Sequence, residues 1–92
     1  MARLGDSEVE ARLADSEWRR EGDSIVRDVK RDGFTAAMAL ANGVAEAANA
    51  ANHHPDILVH GYQHVRLTLS THSAGGITEN DFTLAQTIDA LI

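Results

Sequence analysis

The feature that most constrains this fold is a change of hydrophobic period at Pro55. Over Phe34–Ala51, apolar residues recur every three or four positions and alanine is abundant, which predicts a helix. The residue before a proline is disfavoured in the α-helical region, so this helix must end before Pro55. Beyond it, Ile57–His60 and Tyr62–Thr71 alternate apolar and polar residues and predict two antiparallel strands bent at Gly61. We expect the helix to bury one stripe, formed by Phe34, Met38, Ala41, Val44 or Ala45, and Ala48.

The rest of the chain supplies the remaining elements. It predicts a first helix from Asp6 to about Ala14 and a last helix starting near Thr78. Between them, the segments Trp18–Asp23 and Ile25–Arg31 predict two strands around a turn at Gly22–Asp23. Thr78-Glu-Asn-Asp81 resembles a capping box with Asp in place of Glu. The last helix should bury Phe82, Ala85, Ile88 and Ile92. This order predicts an α+β fold of two layers, with three helices packed on one face of a four-stranded antiparallel sheet, in a single domain, 1–92.

Composition narrows the classes of function. The formal net charge is −6, and most basic residues are mixed with acids between Arg19 and Arg31, so we expect no nucleic-acid partner. The absence of cysteine excludes disulfides and thiolate chemistry. No apolar run has the length of a membrane span, and the first residues lack the apolar segment of a signal peptide. The expectation is a cytoplasmic protein with no membrane partner.

Three of the five histidines stand where predicted elements end. His53 and His54 follow the long helix, and His72 follows the last strand. Side chains at such positions can converge on a ligand instead of packing in the core. His60 and His64, in contrast, are expected to be surface or edge-strand residues.

Two chemistries are open to such a set of imidazoles. Metal binding is one, but the adjacent side chains of His53 and His54 diverge in most backbone conformations. His60 and His64 are four residues apart, but across the predicted glycine bend and not on a helix. The sequence carries no nucleophile elbow, phosphate-binding glycine loop or cofactor fingerprint. Cofactor-free proton transfer on a small organic ligand, without a metal, is therefore favoured.

The spacing of these residues resembles a known family signature. The run is His53-His54-Pro55, six residues, Tyr62, nine residues, His72, eight residues and Asp81. It is similar to the signature of the pterin-4a-carbinolamine dehydratases, as are Leu69–His72, Gly75–Phe82, and the earlier Trp18, Ile25–Arg27 and Phe34. The resemblance implies an α-β-β-α-β-β-α fold and dehydration of 4a-hydroxytetrahydropterin to quinonoid dihydropterin. That step recycles the pterin cofactor of aromatic amino-acid hydroxylases.

The resemblance also implies a set of site residues. His53, His54 and His72 would provide the acid, the base and ligand positioning, but the sequence does not assign a particular role to each histidine. The residues expected to contact the pterin, besides these three, are Asn52, Ser70, Thr71 and Ser73. Those expected to support the site are Asn49, Pro55, Tyr62 and Asp81, the last by orienting an imidazole as well as capping a helix.

One position departs from the family pattern. Family members usually carry a carboxylate or another charged residue four positions before the first histidine, where this chain has Asn49. Asn cannot exchange a proton as a carboxylate does. Glu46, one turn back on the helix, could take that part if it reached the site. The departure leaves open whether activity is lowered.

The implied partners are a small pterin and further copies of the chain, as a homodimer or homotetramer. A second function also follows from the resemblance, because vertebrate relatives stabilise the dimer of a homeodomain transcription factor through a helical surface. The alternative to catalysis is therefore a catalytically weak relative that binds a pterin or a protein.

Overall fold

The structure, a computed structural model, describes residues 2–92, which form three α-helices, four strands and one short 3₁₀ turn. The helices are α1 (Asp6–Leu13), α2 (Phe34–Ala51) and α3 (Glu79–Asp89). The strands are β1 (Arg19–Glu21), β2 (Ser24–Lys30), β3 (Asp56–His60) and β4 (His64–Leu69), and the 3₁₀ turn spans His72–Ala74. The predicted order of elements and the α+β class are confirmed.

All four strands join one antiparallel sheet in the order β1-β2-β4-β3. In its centre, Val29 of β2 pairs with Val65 of β4, which pairs with Val59 of β3. These side chains face the helices and pack in a core that includes Val9 of α1 and Val44 of α2. Burial of aliphatic side chains of this size contributes roughly 1.5–3 kcal/mol each. The core therefore lies between the sheet and its single helical layer.

The opposite side of the sheet, here called the open face, carries the alternate side chains. Successive side chains of a strand point to opposite faces, so the neighbours of the core valines lie here. At the hairpin end, Lys30, His64 and His60 are register partners. At the other end lie Thr68 and its partner Asp56. This second end adjoins the candidate site.

A carboxylate on the open face is held between two guanidinium groups. Asp28 accepts hydrogen bonds from Arg66 Nε and Arg19 Nη1, each 2.7 Å long. The bond from Arg66, followed by that from Arg19, lowers the pKa of the Asp28 carboxyl. A pKa lowered in the folded state stabilises the fold above the unfolded-state value of about 3.9. That contribution is lost as the pH falls through the folded-state pKa.

We expect Asp28→Asn to lower the free energy of unfolding at neutral pH by less than about 1 kcal/mol, because the three side chains are largely solvated. The difference from wild type should begin to shrink below about pH 4, where the carboxyl of the unfolded chain becomes protonated, and should vanish once the folded-state carboxyl is protonated as well. Urea denaturation at neutral and acid pH measures both quantities. Asp15→Asn, at an exposed carboxylate outside the sheet, is the control. An Asp28→Asn difference that stays constant with pH would contradict the argument.

The bounds of α2 match the prediction, but its predicted buried stripe is confirmed only from Ala41 onward, at Ala41, Val44 and Ala48. Its buried residues are Ala37, Leu40, Ala41, Val44 and Ala48. Phe34 and Met38 are instead 58% and 36% exposed, so the prediction that they face the core is wrong. Alanines lie on every side of this helix, so the period predicts a helix without fixing which side meets the sheet.

Two other elements end earlier or begin later than predicted. α3 ends at Asp89, so Ile92 lies beyond it and is 37% exposed instead of buried. β4 begins at His64 and not at Tyr62, because Gly61 and Tyr62 have φ angles of 54° and 53° and continue the turn. Among residues 2–92 we find no helix with the length and apolar character needed to cross a membrane.

Candidate active site

The end of α2 sets the direction of both adjacent histidines. Its C-terminal cap, Asn52, adopts the left-handed conformation at φ 51° and ψ 43°. Asn is one of the few residues besides glycine that enter this region readily. The backbone N–H of Asn52 donates to the Asn49 carbonyl at 3.2 Å, and that of His53 donates to the Ala48 carbonyl at 3.1 Å. With the chain turned in this way, His53 points toward α3 and His54 points back toward α2.

His53 is paired with a buried carboxylate. Its Nε2–H donates to Asp81 Oδ1 at 2.5 Å, and the two side chains are 13% and 0% exposed. Asp81 Oδ2 accepts from the Thr71 hydroxyl and from the Thr78 backbone N–H, both at 2.9 Å. A carboxylate with three donors around it acts only as an acceptor. The proton on Nε2 of His53 is thereby held in place, and Nδ1 is the ring atom that can gain or lose one.

The same carboxylate begins α3. Thr78 and Asp81 form the predicted capping box, and the Thr78 hydroxyl accepts from the Asn80 backbone N–H at 3.2 Å. The Thr71 and Thr78 hydroxyls lie 2.8 Å apart and complete the buried cluster. A negative charge near a helix N-terminus is stabilised by the unpaired backbone N–H groups there. Asp81 therefore caps a helix and contacts an imidazole with one side chain.

His54 is hydrogen-bonded to Asn49, the position at which this chain departs from the family pattern. Its Nε2 lies 3.1 Å from Asn49 Oδ1, so the ring N–H donates to the amide oxygen. Glu46 is exposed, and no hydrogen bond or ion pair joins it to a histidine within residues 2–92. Asn49 and not Glu46 is thus the α2 residue that touches the site.

His54 and His72 line one shallow cleft at the end of the open face. The other lining residues are Ser24, Asp56, Thr68 and Ser70. Ser70 donates its hydroxyl proton to the Asp23 carbonyl at 2.8 Å, which ties the end of β4 to the turn between β1 and β2. Two imidazoles, a carboxylate and three hydroxyls thus surround a space open to solvent. Such a set can donate and accept protons on a small polar ligand.

Two larger surface clefts, of about 400 and 350 Å³, lie elsewhere on the molecule. The first lies beside α2 and the chain end at Leu91, and the second lies beside Trp18 and Phe82. Neither is lined by a histidine, and in the second the side chains of Arg12 and Asp89 are engaged in ion pairs or hydrogen bonds with neighbours. The chemistry of the side chains therefore identifies the site better than cavity size does. Within residues 2–92, no three or more metal-binding side chains gather at one point.

The structure brings only part of the predicted ligand-contact set to the cleft. Ser70 lines it, whereas the Thr71 hydroxyl is buried and donates to Asp81. Ser73 is exposed in the 3₁₀ turn and does not line the cleft. Asn52 is the helix cap described above. Because the Thr71 hydroxyl is occupied by Asp81, a contact between Thr71 and a ligand would have to come from its main chain.

Two of the predicted supporting residues, Pro55 and Tyr62, do not line the cleft. Pro55 lies between His54 and the start of β3, where it forces the chain out of α2. Tyr62 lies in the hairpin turn before β4, at the end of the strand away from the cleft, and its side chain is 62% exposed. Within one copy of the chain, Tyr62 does not contribute to this cleft.

Sequence reasoning missed three cleft residues, Ser24, Asp56 and Thr68. Alternation along the strands could have placed Asp56 and Thr68 on the same face as His54 and Ser70. Ser24 has no such signal, because its position beside them depends on how β2 pairs with β4.

Nearly the whole chain is similar to one family of proteins. A family model described as pterin 4 alpha carbinolamine dehydratase matches residues 2–91. A Nocardia farcinica protein provisionally named as such a dehydratase is 49% identical, over 96% of this chain and 93% of its own length. One from Acidobacterium capsulatum, with the same provisional name, is 48% identical over the full length of both chains.

Solved structures share the fold. The transcriptional coactivator/pterin dehydratase of Brucella melitensis is 33% identical, with a TM-score of 0.88 over 97% of both chains. A pterin dehydratase-like protein identified as a RuBisCO assembly factor in the α-carboxysome is 22% identical, with a TM-score of 0.68. This second match covers 84% of this chain and 90% of the other, and it shows the fold alone.

Fold and site together define a small α+β protein with two imidazoles on one cleft and a third paired with a buried carboxylate. The chain belongs to the pterin-4-alpha-carbinolamine dehydratase family, since the family model and the relatives cover nearly all of it.

Proposed function

We propose that this protein dehydrates a 4a-hydroxytetrahydropterin to the quinonoid dihydropterin by histidine acid–base chemistry. The observation that carries the proposal is the convergence of His54 and His72 on one cleft, next to the His53–Asp81 pair. Family membership supports the pterin as ligand. In this proposal residues 1–92 act as one cytoplasmic domain that recycles the cofactor of aromatic amino-acid hydroxylases.

The reaction requires two proton transfers and no electron acceptor. The C4a–O bond breaks, its electron pair leaves with the oxygen, and one proton delivered to that oxygen makes water. A ring N–H proton is removed, and the electrons of that bond complete the new double bond. Each proton can be carried by an imidazole, because histidine titrates near neutral pH. No metal or cofactor is needed for this balance.

The contacts of each histidine suggest its part in the reaction. His54 and His72 reach the cleft directly and are proposed to exchange protons with the substrate. His53 is fixed through Nε2 and is proposed to act through Nδ1. The ring is proposed to be positioned by Ser70 and by main-chain groups of Asn52, Thr71 and Ser73.

The direct test is the rate at which chemically generated 4a-carbinolamine disappears, followed by absorbance, with and without the wild-type protein. The proposal requires a rate above the spontaneous one that increases in proportion to protein concentration. Lack of acceleration by correctly folded protein would refute the enzyme assignment. Pterin binding measured on the same sample would then distinguish a binding protein from one without affinity for pterins.

Asn49→Asp is expected to raise the rate constant for dehydration several-fold. A carboxylate at this place would accept the His54 Nε2–H as Asn49 Oδ1 does, and a charge-assisted hydrogen bond is about twice as strong as a neutral one. Steady-state kinetics of both proteins give the comparison. Glu46→Gln, which changes an exposed carboxyl on the same helix, is the matched control and should leave the rate unchanged. A rate for Asn49→Asp at or below wild type would show that the amide costs nothing.

A second candidate function, association through α2, is favoured by one observation. The 18 residues of this helix include a single charged side chain, Glu46, and expose Phe34 and Met38. A helix with so few charges on its outer side usually has a partner. We propose a further copy of the chain, in a homodimer or homotetramer, and a different protein as the alternative. Light scattering of the purified protein distinguishes these arrangements, since a monomeric mass would leave only the second.

A further inference from the structure

A pair of histidines lies outside the candidate active site, at the hairpin between β3 and β4. His60 and His64 are register partners, and their rings stack with 5.4 Å between centroids and 23° between planes. Both lie on the open face, because the adjacent Val59 and Val65 pack against the core. Within residues 2–92, the histidine rings that form hydrogen bonds are those of His53 and His54. The nitrogens of the hairpin pair therefore remain available to a ligand.

The turn holds these two rings close together. Gly61 and Tyr62 both have positive φ, and the Gln63 N–H donates to the Gly61 carbonyl at 2.6 Å. A Cβ on Gly61 would lie 3.2 Å from His64 Cδ2, so the missing side chain leaves room for that ring. The Arg31 N–H donates to the Gln63 carbonyl at 2.8 Å, which fastens the turn to the chain after β2. The backbone therefore holds the attachment points of the two side chains close together, and the side-chain torsions set the positions of the rings.

Two neighbouring neutral imidazoles are a suitable ligand pair for a borderline-soft divalent cation. Metal–nitrogen bonds of about 2.0–2.1 Å require two ligating nitrogens roughly 3 Å apart. The stacked rings can reach this separation by turning about χ2, which is a broad torsion in histidine. Divalent first-row metals bind nitrogen ligands with an affinity that rises to a maximum at Cu²⁺. We propose that His60 and His64 form a two-imidazole site for a divalent transition-metal ion, with Cu²⁺ bound most strongly and water completing the coordination.

The charges around His60 and His64 have opposing effects on the binding of a cation there. The net charge of −6 favours a cation overall. Lys30, the register partner of His64 on β2, is exposed and places a like charge near the ion. Asp28 lies in the next row of the open face, but its carboxylate is already shared by Arg19 and Arg66. Removal of the Lys30 charge should therefore strengthen metal binding.

The proposed metal site is separate from the proposed reaction. Ser70 of the cleft lies six positions after His64, which is roughly 20 Å of extended chain. A metal at the hairpin would tie the edge strand β3 to β4 without touching the substrate. The inference thus stands whether or not the protein is a dehydratase.

The test is calorimetric titration of wild type, His60→Ala, His64→Ala and Lys30→Gln with Cu²⁺, at one ionic strength. We expect the hairpin site to bind at least tenfold more weakly in each histidine variant and more tightly in Lys30→Gln. Electron paramagnetic resonance of the wild-type complex should show two nitrogen ligands at this site, and His60→Ala should retain one. Added Cu²⁺ should raise the midpoint temperature of thermal unfolding of the wild type but not of the two hairpin histidine variants.

His54→Ala is the matched control, because it removes an exposed imidazole at the other end of β4. It should leave the hairpin affinity and its resonance spectrum unchanged. Equal Cu²⁺ affinity in wild type and both hairpin variants would place the metal elsewhere and overturn the proposal. Loss of binding in only one hairpin variant would indicate a single ligand and would overturn the two-imidazole site as well. Circular dichroism of each variant checks that these surface substitutions preserve the fold.

Discussion

Asp81→Asn is expected to lower the dehydration rate constant by about 10²–10⁴-fold. The amide can present N–H to His53 Nε2, which would move the imidazole proton to Nδ1 and remove the acceptor that the proposed reaction uses. When the amide oxygen accepts from Thr71 and Thr78 and one amide N–H faces His53, the second N–H of this buried amide is left without an acceptor. That mismatch should lower the free energy of unfolding by about 1–3 kcal/mol.

Rate constants of the folded protein, urea denaturation and the pH–rate profile together separate the two effects of Asp81→Asn. Glu79→Gln is the matched control, because it removes a carboxylate from the same first turn of α3 without touching His53. It should leave the rate and the pH profile unchanged. Thr71→Val removes one donor to Asp81 but keeps the His53 contact, so it should lower stability more than rate. A variant Asp81→Asn that unfolds more easily but keeps the wild-type rate and pH profile would restrict Asp81 to capping.

His54→Ala and His72→Ala are each expected to lower the rate constant by about 10²–10⁴-fold, the usual contribution of one general acid or base. Both side chains reach the cleft. Within residues 2–92 they are its two lining imidazoles, so each single variant retains one of them. The loss should appear in kcat more than in KM, because proton transfer stabilises the transition state and not the bound substrate. Stability should change little, since both side chains are exposed.

His60→Ala and His64→Ala are matched controls for this second prediction, because they remove histidines from the same sheet outside the cleft. Both should retain the wild-type rate. A similar loss of rate in all four variants would indicate a general effect on the protein and not proton transfer at the cleft. A double variant, His54→Ala with His72→Ala, should lose little beyond the worse single variant if both groups act in one step.

The contacts at Asp81 and Asn49 show how much of the site the sequence can predict. The capping box was predicted because Thr78 and Asp81 are three residues apart, and a first turn of helix brings such residues together. The His53–Asp81 hydrogen bond joins residues 28 apart in the chain, and only the family resemblance gave reason to expect that Asp81 orients an imidazole. The same pattern marked Asn49 as a supporting position without naming its partner, and the structure shows that Asn49 contacts His54 and that Glu46 does not replace it.

The sequence by itself determined the order of the elements, the end of α2 near Ala51 and the positions of His53, His54 and His72 at element ends. Hydrophobic period, the proline restriction and capping depend on residues within a turn or two of one another, so they can be read along the chain. Only the tertiary structure decided which side of α2 meets the sheet, which residues join the histidines in the cleft, and that Tyr62 lies at the other end of β4. These depend on strand register and on packing between distant segments, which a chain rich in alanine leaves open.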